Sequence, residues 1–121
     1  MTYFLTYDDV VSLNRGLNRL SGKGAPILSN SNVTLIVDRA KSYKSLYETA
    51  AYYMYAINTL HPFFGANKRT GFVAAQLFLE MNGYKAKLSN KRVVQLSMEI
   101  RSQQVDYEKL KYIFKDSISP L

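Results

Sequence analysis

Cysteine is absent from the 121 residues, and histidine occurs once. The first absence excludes disulfides and thiolate metal sites, and the second excludes a multi-histidine metal centre within one chain. Any metal would be held by oxygen. Long hydrophobic runs are also missing: no apolar stretch reaches the roughly 18 residues that a membrane span requires, and the N-terminus has no basic region followed by an apolar one. A cytoplasmic protein with no membrane partner is expected. Acidic residues are few, 9 Asp+Glu against 16 Lys+Arg, and the formal net charge is +7. That excess favours acidic or phosphorylated partners. The basic residues are dispersed and no nucleic-acid-binding module accompanies them, so nucleic acid is not the expected partner. Repeats, low-complexity tracts and linkers are lacking too. The length suits a single domain over residues 1–121, with a core large enough to do without covalent staples.

What is present centres on one stretch, His61-Pro62-Phe63-Phe64-Gly65-Ala66-Asn67-Lys68-Arg69-Thr70. It holds the single histidine and runs into the most apolar helix candidate, Asn67 to Asn82, which only Gln76 and Glu80 interrupt and which Gly83 stops. Such a helix, apolar almost all round, is expected to be buried. Its free N–H groups and positive dipole end would face the loop Phe64 to Ala66, where small Gly65 and Ala66 let a ligand approach backbone amides. The result is a candidate anion site, to which Lys68 and Arg69 add charge. Gly65 is also the loop residue free to take a positive φ. A side chain that titrates near neutrality beside a phosphate site can take the proton of an attacking hydroxyl, which makes His61 the candidate base. Taken singly, each residue also fits a turn cap or a solvated helix start; the combination favours chemistry.

The pattern His-Pro-Phe-x-x-Ala-Asn-Lys-Arg-Thr resembles the core motif of Fic/Doc proteins. The Lys between Asn and Arg, and the ending Phe-Leu-Glu-Met-Asn-Gly-Tyr of the following helix, resemble the Doc (death-on-curing) toxin branch. The resemblance implies an all-α, single compact helical domain with a central buried helix after the motif loop. It implies His61 as the catalytic base and Phe63 as the core anchor of the loop. Asn67, Lys68 and Arg69 would bind the nucleotide phosphates, joined by the backbone amides around Gly65 and Ala66 that the loop reading offers, with ATP or another nucleoside triphosphate as cofactor. The implied activity is phosphoryl transfer to a hydroxyl side chain of a target protein, by resemblance a translation elongation factor, under the control of a separate antitoxin protein. The wider family transfers AMP instead, usually with glycine where Lys68 stands. One position departs from the motif: Gly65 occupies the place of the usual Asp or Glu that holds Mg²⁺. Mg²⁺ is still expected, carried by the triphosphate and water, but no metal ligand is identified. A non-catalytic, partner-binding member of the same fold is the alternative that Gly65 raises.

Along the rest of the chain, Thr6-Tyr7-Asp8-Asp9 reads as a helix start with Leu5 and Val10 as a hydrophobic staple, and Val10, Leu13, Leu17 and Leu20 predict one apolar core face. Ser21 to Pro26 is a turn-rich break whose Gly-Lys-Gly lacks the spacing of a Walker loop. By resemblance, the polar run from Ser21 to Asn32 is a flap that docks the target. Val33 to Lys41 suits strand or helix, and the resemblance favours helix. Ser45 to Glu48 forms a capping box for a helix that delivers His61, and Pro62 ends it. Tyr52, Tyr53 and Tyr55 are read as packing rather than as a base-stacking platform. Lys85 to Leu88 is a short basic segment. A helix capped by Ser89 or Asn90 follows, with Val93, Leu96 and Ile100 on one face, and then a last helix from Val105-Asp106 with Tyr107, Leu110, Ile113 and Phe114 facing inward.

Overall fold

The computed structural model describes residues 1–20 and 27–121, and for Leu20 the backbone alone. The expected turn-rich break at 21–26, with half of the expected flap, lies outside the described residues, and the end of that flap, Asn30 to Asn32, is the first turn of α2. The elements are α1 (Tyr7–Leu20), α2 (Asn30–Ala40), α3 (Leu46–Leu60), α4 (Asn67–Met81), β1 (Tyr84–Ala86), α5 (Asn90–Arg101), α6 (Tyr107–Ser117) and β2 (Ile118–Pro120). The architecture is helical, as expected. Val33 to Ala40 is helix, with Ser29 as its N-cap. No helix among the described residues is long and apolar enough to cross a membrane.

Helix starts follow the caps in the sequence. Thr6 and Asp9 bond reciprocally, the Thr6 N–H to Asp9 Oδ2 at 2.8 Å and the Asp9 N–H to Thr6 Oγ1 at 3.1 Å. Ser45 and Glu48 form the complete capping box, and Ser89 and Asp106 cap α5 and α6. One core gathers Leu5 and Val10 with Ile36 from α2, Tyr53 and Ile57 from α3, Phe78 from α4, Leu96 from α5, and Leu110 and Phe114 from α6. The tyrosines pack as expected: Tyr43 lies 5.0 Å from Tyr52 and 5.5 Å from Tyr107, centroid to centroid. Burial pushes the Tyr53 hydroxyl up to about 12, and it accepts the Leu5 N–H at 3.1 Å.

α4 is the spine of the domain, packed chiefly against α3. It is not buried all round. Thr70, Gly71, Ala74, Ala75, Phe78 and Leu79 are buried, Phe72, Val73 and Leu77 are half-buried, and Met81 is exposed. Gly71 sets the spacing, since a Cβ there would sit 2.8 Å from Asn58 Nδ2 and 3.2 Å from the Met54 carbonyl oxygen. Gln76 is a brace: its amide accepts the Ala86 N–H at 2.8 Å and donates to the Ala86 carbonyl at 3.1 Å. It thereby fixes β1, the expected basic segment, whose Tyr84 and Ala86 pair antiparallel with Pro120 and Ile118 of β2.

The inner face of α1 also differs from its apolar pattern. Leu13 and Leu17 are half-buried, and the deeply buried line is Val10, Asn14 and Asn18. Asn14 occupies a core position because the motif loop and Thr70 accept its amide, and Asn18 in turn donates to the Asn14 carbonyl and Oδ1, both at 2.9 Å, a reason that apolar periodicity does not register.

Candidate active site

Between α3 and α4 the chain makes a tight loop, and local rules explain its shape. Pro62 disfavours helical geometry at the residue before it, and His61 leaves α3 in the left-handed region, φ 48° and ψ 59°. Ala66, the N-cap of α4, is also left-handed at φ 58°. Gly65, free to take a positive φ, does not have one. Phe63 is buried, as an anchor should be.

Asn67 staples the loop shut. Its Oδ1 accepts the Phe63 N–H at 3.2 Å and its Nδ2 donates to the Phe63 carbonyl at 2.8 Å, with the residue 5% exposed. Asn14 of α1 reaches in from the other side, donating to the Gly65 carbonyl at 2.8 Å and to Thr70 Oγ1 at 3.1 Å. The segment before α2 is tied to the same loop, because the Leu28 and Ser29 N–H groups donate to the Pro62 carbonyl at 2.9 and 3.0 Å. Asn32 Nδ2 adds a bond to the Leu60 carbonyl at 2.9 Å.

These contacts also define the state of His61. The two bonds to Phe63 fix the Asn67 amide with Nδ2 towards the imidazole, 3.2 Å from His61 Nδ1. Nδ1 is therefore the acceptor, and the neutral ring as placed carries its hydrogen on Nε2. Nε2 is buried and has no hydrogen-bond partner among the described residues. Burial, and then the charges of Arg101 and Lys68, hold the His61 pKa below its ordinary 6.5, so the ring is neutral at pH 7.

A cavity of about 340 Å³ opens beside it. One wall is the motif, where His61, Phe64, Gly65, Ala66, Asn67, Lys68 and Arg69 line it; the other is α5, through Val93, Val94, Ser97 and Arg101. Every expected site residue except the anchor Phe63 lies in this lining. The α4 N-terminus has no side-chain cap, unlike the other helices, and its first amides face the loop that borders the cavity. Ser97, with an unpartnered buried Oγ, and Arg101 were not singled out from sequence. In the sequence Ser97 looks like an ordinary helix residue and Arg101 like a favourable last-turn charge. Only the packing of α5 across the loop makes them site residues. Asn14 was hidden for a similar reason.

The donor set does not fit a protein-held Mg²⁺. No carboxylate lines the cavity, and no group of three or more His, Cys, Asp or Glu that could hold a metal occurs among the described residues. Mg²⁺ is bound by oxygens, usually including a carboxylate, whereas the charged side chains here are Lys68, Arg69 and Arg101.

Comparison with known proteins agrees with the loop and its following helix. The model of the Fic/DOC family matches residues 4–79, more than half of the chain. No curated protein matches it.

Proposed function

The chain belongs to the Fic/DOC family, and from that premise we propose that it is a Doc-like toxin that transfers a phosphoryl group from ATP or another nucleoside triphosphate to a hydroxyl side chain of a target protein. The family implies a Fic-type transferase. The observation that supports this reading best is the single cavity wall on which His61, the uncapped α4 N-terminus, Lys68 and Arg69 stand together. Phosphoryl transfer depends mainly on positioning and on charge stabilisation, which amides and cations provide. The target oxygen attacks the γ-phosphorus, the bond to the bridging oxygen breaks, and the hydroxyl proton passes to His61.

Two features bear on His61 as base. Its lowered pKa supplies the neutral ring that a base requires. Accepting a proton at Nε2, however, needs the hydrogen on Nδ1 and gives up the 3.2 Å contact to Asn67. One such contact is worth about 1 kcal/mol, less than tenfold in rate, against the roughly 10²- to 10⁴-fold that general base catalysis contributes. The base role therefore survives the cost. Asn67 serves the phosphates by shaping the loop, with Lys68 and Arg69 as the direct ligands.

Lys68 supports phosphoryl over AMP transfer, because a long cation crowds the position where AMP transferases usually have glycine. A translation elongation factor is the target that the Doc resemblance implies, and a separate antitoxin with an acidic or amphipathic segment would suit the +7 chain. A partner-binding protein without catalysis is the second reading, favoured by Gly65 and the absence of a carboxylate from the lining. Mass spectrometry of a purified elongation factor after incubation with the chain, ATP and Mg²⁺ separates the readings. An added phosphate supports kinase-type transfer, an added AMP replaces it with AMP transfer, and an unchanged target favours the partner-binding reading.

A further inference from the structure

The cavity that would take the triphosphate has cations on both of its walls. Lys68 and Arg69 stand on α4, and Arg101, the last residue of α5, faces them from across the cavity. All three are exposed, and none has an ion-pair or hydrogen-bond partner among the described residues. Glu99 pairs with Arg92 at 3.4 Å and Glu108 with Lys111 at 2.7 Å, while Asp106, which shares the lining of a neighbouring cavity with Arg101 and His61, caps α6 and accepts the Lys109 N–H at 2.9 Å. Unpaired charges converging on one cavity repel one another, an arrangement that an anionic ligand relieves.

A second observation on the α5 wall points to a ligand. Ser97 is 1% exposed, its Oγ has no partner, and it lines the cavity one turn before Arg101. A buried hydroxyl without a partner is uncommon and destabilising unless something bonds to it. His61 Nε2 is a second buried polar atom in the same lining without a partner. Residues 97 and 101 are one helical turn apart, so both side chains lie on the same strip of α5. This wall lies beyond residues 4–79, the stretch that the family model matches.

We infer that Arg101 is a third phosphate-binding cation, with Ser97 as an accompanying hydrogen-bond donor, and that the charge of the polyphosphate is met by side chains of both walls rather than by a metal held by the protein. This rests on the nucleotide reading of the cavity. Substituting glycine for a carboxylate at position 65 removes both a metal ligand and a negative charge from the lining. A guanidinium on the opposite wall then takes over part of the neutralisation. Arginine suits the task because its fork binds phosphate oxygens in pairs and it stays charged at any relevant pH.

The test is calorimetric titration of the full chain with ATP, once in EDTA and once with Mg²⁺, for the wild type, Arg101→Ala, Arg101→Lys and Lys115→Ala. The wild type should bind in EDTA within about threefold of its affinity with Mg²⁺. Arg101→Ala should lose about ten- to a hundredfold in both buffers, the range for one charge-assisted contact, and Arg101→Lys should recover part of it. Lys115→Ala removes the same unit of charge from exposed α6, away from the cavity, and should bind as the wild type does. Arg101 is exposed, so its substitution leaves the core unchanged, and thermal melting checks this. Binding that requires Mg²⁺, or wild-type affinity in Arg101→Ala, overturns the inference and leaves the nucleotide reading standing. No binding in either buffer removes both.

Discussion

Replacing Asn67 by alanine should destabilise the domain by unpairing the backbone of the loop. The side chain is 5% exposed and satisfies both backbone groups of buried Phe63, at 3.2 and 2.8 Å, besides its contact with His61. Truncation leaves the Phe63 N–H and carbonyl without these partners. Each buried polar group left unpaired costs about 1–3 kcal/mol, and water entering from the adjacent cavity brings the pair towards the lower end, about 2–4 kcal/mol in total. A domain of this size is stable by about 5–15 kcal/mol, so the variant should still fold, with a melting temperature lower by about 8–16 °C. Urea denaturation followed by circular dichroism measures the difference directly. Asn67→Asp is the informative companion. It keeps an acceptor for the Phe63 N–H but puts a carboxylate beside His61 Nδ1, which should raise the imidazole pKa above that of the wild type. If Asn67→Ala unfolds within about 0.5 kcal/mol of the wild type, below the lower limit for even one unpaired group, Asn67 does not hold the loop and the account of its geometry is wrong.

Two further outcomes follow from the same site. Because burial, Arg101 and Lys68 hold the His61 pKa below 6.5, the acid limb of kcat/KM should lie below pH 6.5, with activity lost as pH falls and the ring protonates. Bound polyphosphate brings negative charge to the ring, so the limb of kcat should lie at higher pH than that of kcat/KM; an acid limb of kcat/KM above pH 7 would contradict the assigned environment. Gly65→Asp should make ATP binding depend on Mg²⁺, since the new carboxylate repels the nucleotide without the metal and can bind it with the metal. The backbone at 65 tolerates a side chain, but a Cβ would lie 3.1 Å from Asn18 Oδ1, so the Asn18 amide must shift by a few tenths of an ångström. Titration of this variant with and without Mg²⁺ checks it, and an affinity insensitive to the metal would show that position 65 does not face the phosphates.

Much of the fold was legible because its signals are local. The reciprocal pairs Thr6/Asp9 and Ser45/Glu48 start their helices where the sequence places them, and the spacing of Val93, Leu96 and Ile100 orients α5 correctly. Pro62 marks the break before the motif, and the loop residues His61 to Arg69 share one cavity lining save for Pro62 and Phe63. What escaped depends on contacts between distant segments. Asn14 and Asn18 are polar residues in a core row, the first bonded to the loop that α1 covers and the second to Asn14. Arg101 lies 40 residues after His61, and nothing near it in sequence marks it as a neighbour of the imidazole. The β1–β2 pair joins two three-residue strands, too short for any alternation to show. Gly65 has the conformational freedom for a left-handed turn, yet Ala66 makes it. The backbone path there is held by the bonds of Asn14 and Asn67, which offset the intrinsic cost of about 1–2 kcal/mol for alanine in that region.

The central claim is that His61 takes the proton of an acceptor hydroxyl beside a bound nucleotide. The most direct measurement compares the rate at which the wild type and His61→Ala modify a purified elongation factor with ATP, read by mass spectrometry, with the melting temperatures of both proteins recorded alongside. The account predicts that the wild type adds a phosphate and that His61→Ala is at least about 100-fold slower, while still melting cooperatively and binding ATP. Modification by His61→Ala at the wild-type rate would contradict it.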